Sequence, residues 1–132
     1  MSVPCEIAVK CVLPAVRAMT AKQLMAKHGL NQAQAAKLLG LSQPAISLYS
    51  RKIRGKAIDL ENDKNINLLV EELADSLVKS NMSRKEFIMQ FCRICREIRA
   101  KGLMCKMHKT FDASINIEEC ELCKFVNPPR CL

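Results

Sequence analysis

The chain has 132 residues, 49% of them hydrophobic, with a formal charge of +8 and an isoelectric point near 9.2. That length holds one small domain, or one with an appendage, around a modest core, and leaves no room for a large enzyme. No run approaches the roughly 18 apolar residues of a membrane span and no signal peptide opens the chain, so a cytoplasmic protein with no membrane partner is expected.

The positive charge calls for a polyanion, most often nucleic acid, and it is unevenly spread. Residues 1–60 hold nine Lys/Arg against Glu6 and Asp59, whereas residues 61–132 hold twelve against eleven acids. The polyanion is therefore expected on the first part. With one Tyr, four Phe and no Trp, the chain has few platforms for stacking single-stranded bases, which favours double-stranded DNA.

In chain order, "LPAVRAMTAKQLMAKHG" (13–29) reads as a first helix, with Pro14 in the tolerant first turn and Gly29 where a helix stops. In "NQAQAAKLLGLSQPAISLYSRK", Asn31 is a candidate N-cap for a short helix to Leu39, Gly40 makes a turn, and Ser42 caps a second helix that carries Pro44 in its first turn. Ala36, four residues before Gly40, is small enough to let the two helices approach. Ile46 and Tyr49 follow at helical spacing to pack beneath the second. Together with Gln32, Ala35, Leu39 and Leu41 these residues fit a helix-turn-helix, giving an all-α fold with a DNA-binding domain at 1–60.

At these residues the sequence resembles the lambda-repressor-like (XRE type) helix-turn-helix regulators. More narrowly, "PCEIAVKCVLPAVRAMTAKQL" followed by "LGLSQPAISLYSRKIRG" is similar to small archaeal predicted transcriptional regulators with a cysteine-bearing C-terminus, over about residues 3–57. The resemblance implies sequence-specific duplex binding as a homodimer. Residues 42–50 would then be the recognition helix in the major groove. Gln43 and Ser47 could read base edges, and Ala45 or Leu48 could touch a thymine methyl. Arg51, Lys52, Arg54 and Lys56 suit phosphates, and Gln32 and Ser42 complete the expected DNA-binding set.

Beyond Gly55 the chain changes character, and 61–132 reads as a helical dimerisation and metal-binding region. "DKNINLLVEELADSLVKSN" puts Ile66, Leu69, Leu73 and Leu77 on one stripe with Val70. "MSRKEFIMQFCRICREIRAKG" opens on a capping box at Ser83 and Glu86, lines up Phe87, Phe91, Ile94 and Ile98, and ends at Gly102. These two amphipathic helices are expected to bury against the DNA-binding helices or to form a dimer interface.

Within and beyond the last helix stand Cys92, Cys95, Cys105, His108, Cys120 and Cys123, in the pattern C-x2-C-x9-C-x2-H-x11-C-x2-C, with Cys131 trailing. In a cytosolic chain with eight cysteines, three such pairs point to metal ligation rather than a disulfide framework. Four thiolates around Zn²⁺, or around a four-iron four-sulfur cluster in its 2+ state, leave a net charge near −2. Arg93, Arg96, Arg99, Lys101 and Lys106 could offset it. No glycine follows the ligand pairs as in zinc knuckles, and the donors exceed one four-coordinate zinc site. An iron-sulfur cluster (4Fe-4S) is favoured, with Zn as the alternative. Cysteines also serve as small core residues, the lesser reading for the paired set, and Cys5 and Cys11 are read that way.

Two functions follow. One is a transcriptional regulator whose cluster senses redox state, oxygen or metal. The other is a zinc-stabilised, constitutive nucleic-acid-binding adaptor. No catalytic constellation or small-molecule substrate site is visible, and the strand signals a thioredoxin-like dithiol enzyme requires are lacking, so an enzyme is not expected.

Overall fold

The computed structural model describes residues 4–50, 60, 62–79, 82–111 and 113–114, and among these every regular element is helical. None of these helices is long and apolar enough to cross a membrane. Helix α1 (Pro4–Ile7) runs through a π-helical turn (Ala8–Val12) into α2 (Leu13–Ala26). The first helix thus begins well before Leu13, and Pro14 lies inside it. Proline lacks an N–H, and its ring crowds the carbonyl four residues back. The π turn supplies a local answer: Leu13 N–H donates to the Ala8 carbonyl, five residues back, so the backbone is widened next to the proline.

Helices α3 (Gln32–Leu39) and α4 (Gln43–Ser50) follow. Then come α5 (Lys64–Lys79), α6 (Arg84–Ala100) and α7 (Cys105–Phe111), the last of which the sequence reading did not anticipate. The expected stripes are buried: Ile66, Val70, Leu73 and Leu77 on α5, and Ile94 and Ile98 on α6, with Leu69, Phe87 and Phe91 partly covered. α5 packs against α2 on one side and α6 on the other, and α7 packs against α1. The larger core cluster therefore draws from both sides of residue 60, from Ile7, Val16 and Leu24 to Leu73, Ile98 and Met104. A smaller cluster of Ala21, Ala36, Ala45, Ile46 and Tyr49 holds α3 and α4 to α2, and Met25 and Leu39 touch both clusters.

Two carboxylates, one just before α5 and one within it, tie it to the rest. Asp63 caps the helix, accepting from the N–H groups of Asn65 and Ile66 at 3.0 and 3.1 Å. The Lys101 ammonium, at the end of α6, donates to both its oxygens at 2.9 and 3.0 Å. The Lys101 hydrogen bond, then the Ile66 N–H, hold the Asp63 carboxyl below the usual carboxylate range. Asp75 accepts from His28 Nε2 at 2.8 Å, with Lys27 at 3.5 Å. An ionised carboxylate can only accept, so Nε2 carries the proton, and this bond is the main reason the Asp75 carboxyl is also held low.

Candidate functional site

The α3–α4 pair is shaped by three local devices. Asn31 Oδ1 accepts from Gln34 N–H at 2.8 Å while Gln34 Oε1 accepts from Asn31 N–H at 3.0 Å, a reciprocal capping box. At the other end of α3, Gly40 takes φ +67°. Its N–H donates to the Lys37 carbonyl at 3.3 Å, and Leu41 N–H donates to the Ala36 carbonyl at 2.9 Å. This pair of bonds is a Schellman closure, and its left-handed residue suits glycine. Ser42 Oγ then accepts from Ala45 N–H at 3.3 Å and caps α4. Two short helices meet across a tight turn, with Ala36 buried at their contact.

The turn fixes which face of α4 points out. Ile46 and Tyr49 face inward as expected, and Ser42 and Gln43 are exposed. Gln32, Ser47 and Leu48 are half-buried. Ala45, also in the expected set, is placed differently from Ser42 and Gln43. At 8% exposure it belongs to the small cluster, because i and i+4 share a helix face and Ala45 lies beside Ile46 and Tyr49. It is placed for packing within that cluster, whereas Leu48 keeps part of its surface exposed. Arg51, Lys52, Arg54 and Lys56 lie outside the described residues.

The cysteine region is organised by a second glycine closure. Gly102, at φ +69°, ends α6. Its N–H donates to the Arg99 carbonyl at 3.0 Å, and Leu103 N–H to the Ile98 carbonyl at 3.1 Å. Cys105 opens α7 directly after the turn, with Sγ 3.7 Å from where a Cβ on Gly102 would stand. Cys92 and Cys105 are half-buried and His108 is buried. Cys11, Cys92, Cys95 and Cys105 are all thiols. Cys95, an expected ligand, is 8% exposed and belongs to the larger core with Ile94 and Ile98. Cys11 is likewise a core residue, as read, and burial pushes its thiol up, partly opposed by Lys10.

Among the described residues no group of three or more His, Cys, Asp or Glu is placed to hold a metal ion. The four expected ligands within them, Cys92, Cys95, Cys105 and His108, thus do not make a ligand set by themselves. Cys120, Cys123 and Cys131 lie outside the described residues. The basic side chains are partly committed elsewhere: Lys101 to Asp63, Arg93 near Glu72 at 3.8 Å, and Arg99 in the interior. Sequence reasoning missed the Asp63–Lys101 tie, whose signal was an Asp three residues before the apolar stripe begins at Ile66. It also missed α7, whose apolar spacing of Met107 from Met104, just before the helix, was hidden inside the Cys/His motif. Compared with models of protein families, with curated proteins and with solved structures, the chain matches none.

Proposed function

We propose that the chain is a sequence-specific, duplex-DNA-binding transcriptional regulator of the lambda-repressor-like helix-turn-helix type, acting as a homodimer. One observation carries the reading. α3 and α4 meet across the left-handed Gly40, α4 is anchored by Ala45, Ile46 and Tyr49, and its polar N-terminal end, Ser42 and Gln43, is left to solvent. A short helix held by one face and presenting polar groups at its start is the form of a major-groove reader. Gln43 pairs with a base edge and Ser47 supports it. Arg51, Lys52, Arg54 and Lys56, directly after α4 in sequence, meet phosphates.

The Cys/His region is the candidate sensor, with an iron-sulfur cluster preferred to zinc. Because the described thiols do not converge in threes, such a site draws on Cys120 and Cys123, and no step of DNA recognition is routed through it. The packing of Cys95 favours a purely structural role for that thiol.

The test is selection of duplexes from a random pool by the full-length protein, followed by competition against random duplex at fixed salt. An enriched, two-fold sequence bound at least about 10³-fold tighter than random DNA is expected. Equal affinity for all duplexes would sink the reading. The visible spectrum of anaerobically purified protein separates a coloured cluster from colourless zinc.

A further inference from the structure

The solvent faces of α5 and α6 carry charges of both signs and large exposed apolar side chains, Leu68 and Val78 on α5 and Met89 on α6. On α5, Leu68 is 58% exposed and stands one helical turn from Glu72. On α6, Met89 is 55% exposed, between Lys85 and Arg93. Between the helices runs a groove of about 410 Å³, bordered by Leu69, Glu72, Gln90, Arg93 and Ile94. Glu72 and Arg93 approach across it at only 3.8 Å, with side chains 64% and 63% exposed. Such a loose, solvated pair contributes little within one chain, and most of each charged group stays available to something else.

We propose that this face docks a second copy of the chain, α5 of each copy lying antiparallel on α6 of the other in a two-fold, four-helix interface. The argument is charge complementarity with itself. A two-fold axis along the groove sets each Glu72 against an Arg93 of the other copy, and each Lys79 against a Glu86. An isologous interface requires a surface that carries both halves of every pair. Leu68 and Met89 then leave water against the facing hairpin, with helices crossing at the shallow angle of four-helix packing. A polyanion is a poorer occupant, because Glu72 and Asp75 both line the groove. No residue of α3 or α4 lines the groove, so docking there is compatible with an exposed α4. The inference deepens the dimeric DNA-binding reading and rests on it for the expectation of a two-fold partner.

Sedimentation equilibrium of the full-length protein, at micromolar concentration, tests it with Glu72→Arg, Arg93→Glu and Met89→Glu. All three positions are exposed, and thermal melts followed by circular dichroism check that each variant folds. Wild type should be a dimer, and each variant should dissociate at least about tenfold more readily. The decisive sample is an equimolar mixture of Glu72→Arg and Arg93→Glu chains. Each is self-repelling, yet the mixed pair again has opposite charges at both contacts, so dimers should return. A monomeric wild type, dimers indifferent to all three substitutions, or a mixture that stays monomeric would overturn the proposal. Binding to a single half-site duplex, measured alongside, reports the DNA reading separately: a monomeric wild type that still selects a half-site overturns this surface alone.

Discussion

Replacing Ile46 by Ala probes the anchor of α4 without touching its exposed side. Ile46 is fully buried, and its cluster partners are Ala21, Ala36, Ala45 and Tyr49. The substitution removes three carbons, about 2.4 kcal/mol at roughly 0.8 kcal/mol each. A cavity contribution of about 24 cal/mol per Å³ adds to this wherever the site cannot collapse. Here collapse is partial. The other buried members are three alanines, which have no side-chain rotation with which to fill space, and Tyr49, whereas Met25, Leu39 and Leu41 pack against the same cluster partly buried and can lean in. The expected loss is therefore about 3 kcal/mol, within the range for such truncations, while Ile46→Val should cost only about 1 kcal/mol. Urea unfolding followed by helical circular dichroism measures both. A loss below about 1.5 kcal/mol for Ile46→Ala, with an unchanged dependence on urea, would refute the claim that this small alanine-lined cluster fixes α4.

Gln43→Ala should leave the urea midpoint unchanged, since Gln43 is exposed, but weaken the selected duplex by about 1–3 kcal/mol and relax one base position, whereas Arg54→Ala should weaken all duplexes alike and flatten the salt dependence; binding titrations on selected and random DNA distinguish them. Gly40→Ala meets no atom within 4 Å, so its cost is backbone strain alone, about 1–2 kcal/mol in urea titration, and Gly40→Asn should cost less. The Asp63 and Asp75 carboxyls are held low in the folded chain. Their contributions are therefore full above the ordinary carboxylate value of about 3.9 and fade as the pH falls through the depressed values; the urea midpoint should drop below about pH 4, and less steeply in Asp63→Asn. In metal-free protein, Cys95→Ser should lower the melting temperature more than Cys92→Ser, because a hydroxyl placed in the core costs about 1–3 kcal/mol and one at the half-buried Cys92 costs less.

The helices of this chain announce themselves where local chemistry and tertiary burial agree. Asn31, Gly40, Ser42, Ser83 and Gly102 each do what their side chains, or the lack of one, allow at a helix end, and the stripes on α5 and α6 are the buried ones. The failures have physical reasons. Pro14 looks like a helix start because a proline inside a helix is normally costly, and a five-residue hydrogen bond upstream is not encoded in any residue type. Ala45 has no sequence mark of burial: its side chain suits a core or a surface, and only its position beside α2 decides. Cys95 is ambiguous in the same way, since a thiol packs as a small apolar group as readily as it binds a metal. Spacing alone reports that Cys92 and Cys95 share a side of α6, and not whether that side meets water.

The packing also determines how anything happening at the cysteine end could be felt at α4. No flexible link separates the two: α7 lies against α1, α1 continues through the π turn into α2, and α2 carries α3 and α4 on Ala21. A change at Cys105 or His108 that altered the seating of α7 would therefore act first on α1. Whether it travels further depends on the π turn, where the helix is held by a five-residue bond and adjoins a proline with no N–H to give. Ile7 and Val16, on either side of that turn, and Val12 within it are all buried in the larger core. A tilt of α1 thus cannot be absorbed by the turn without opening contacts that α2 shares with α5. A ligand shifts such an equilibrium only by its differential affinity for the two arrangements. In the proposed regulator, the sensor's reach is accordingly bounded by the packing free energy of α7 on α1, and strengthening that contact would raise the threshold for any response.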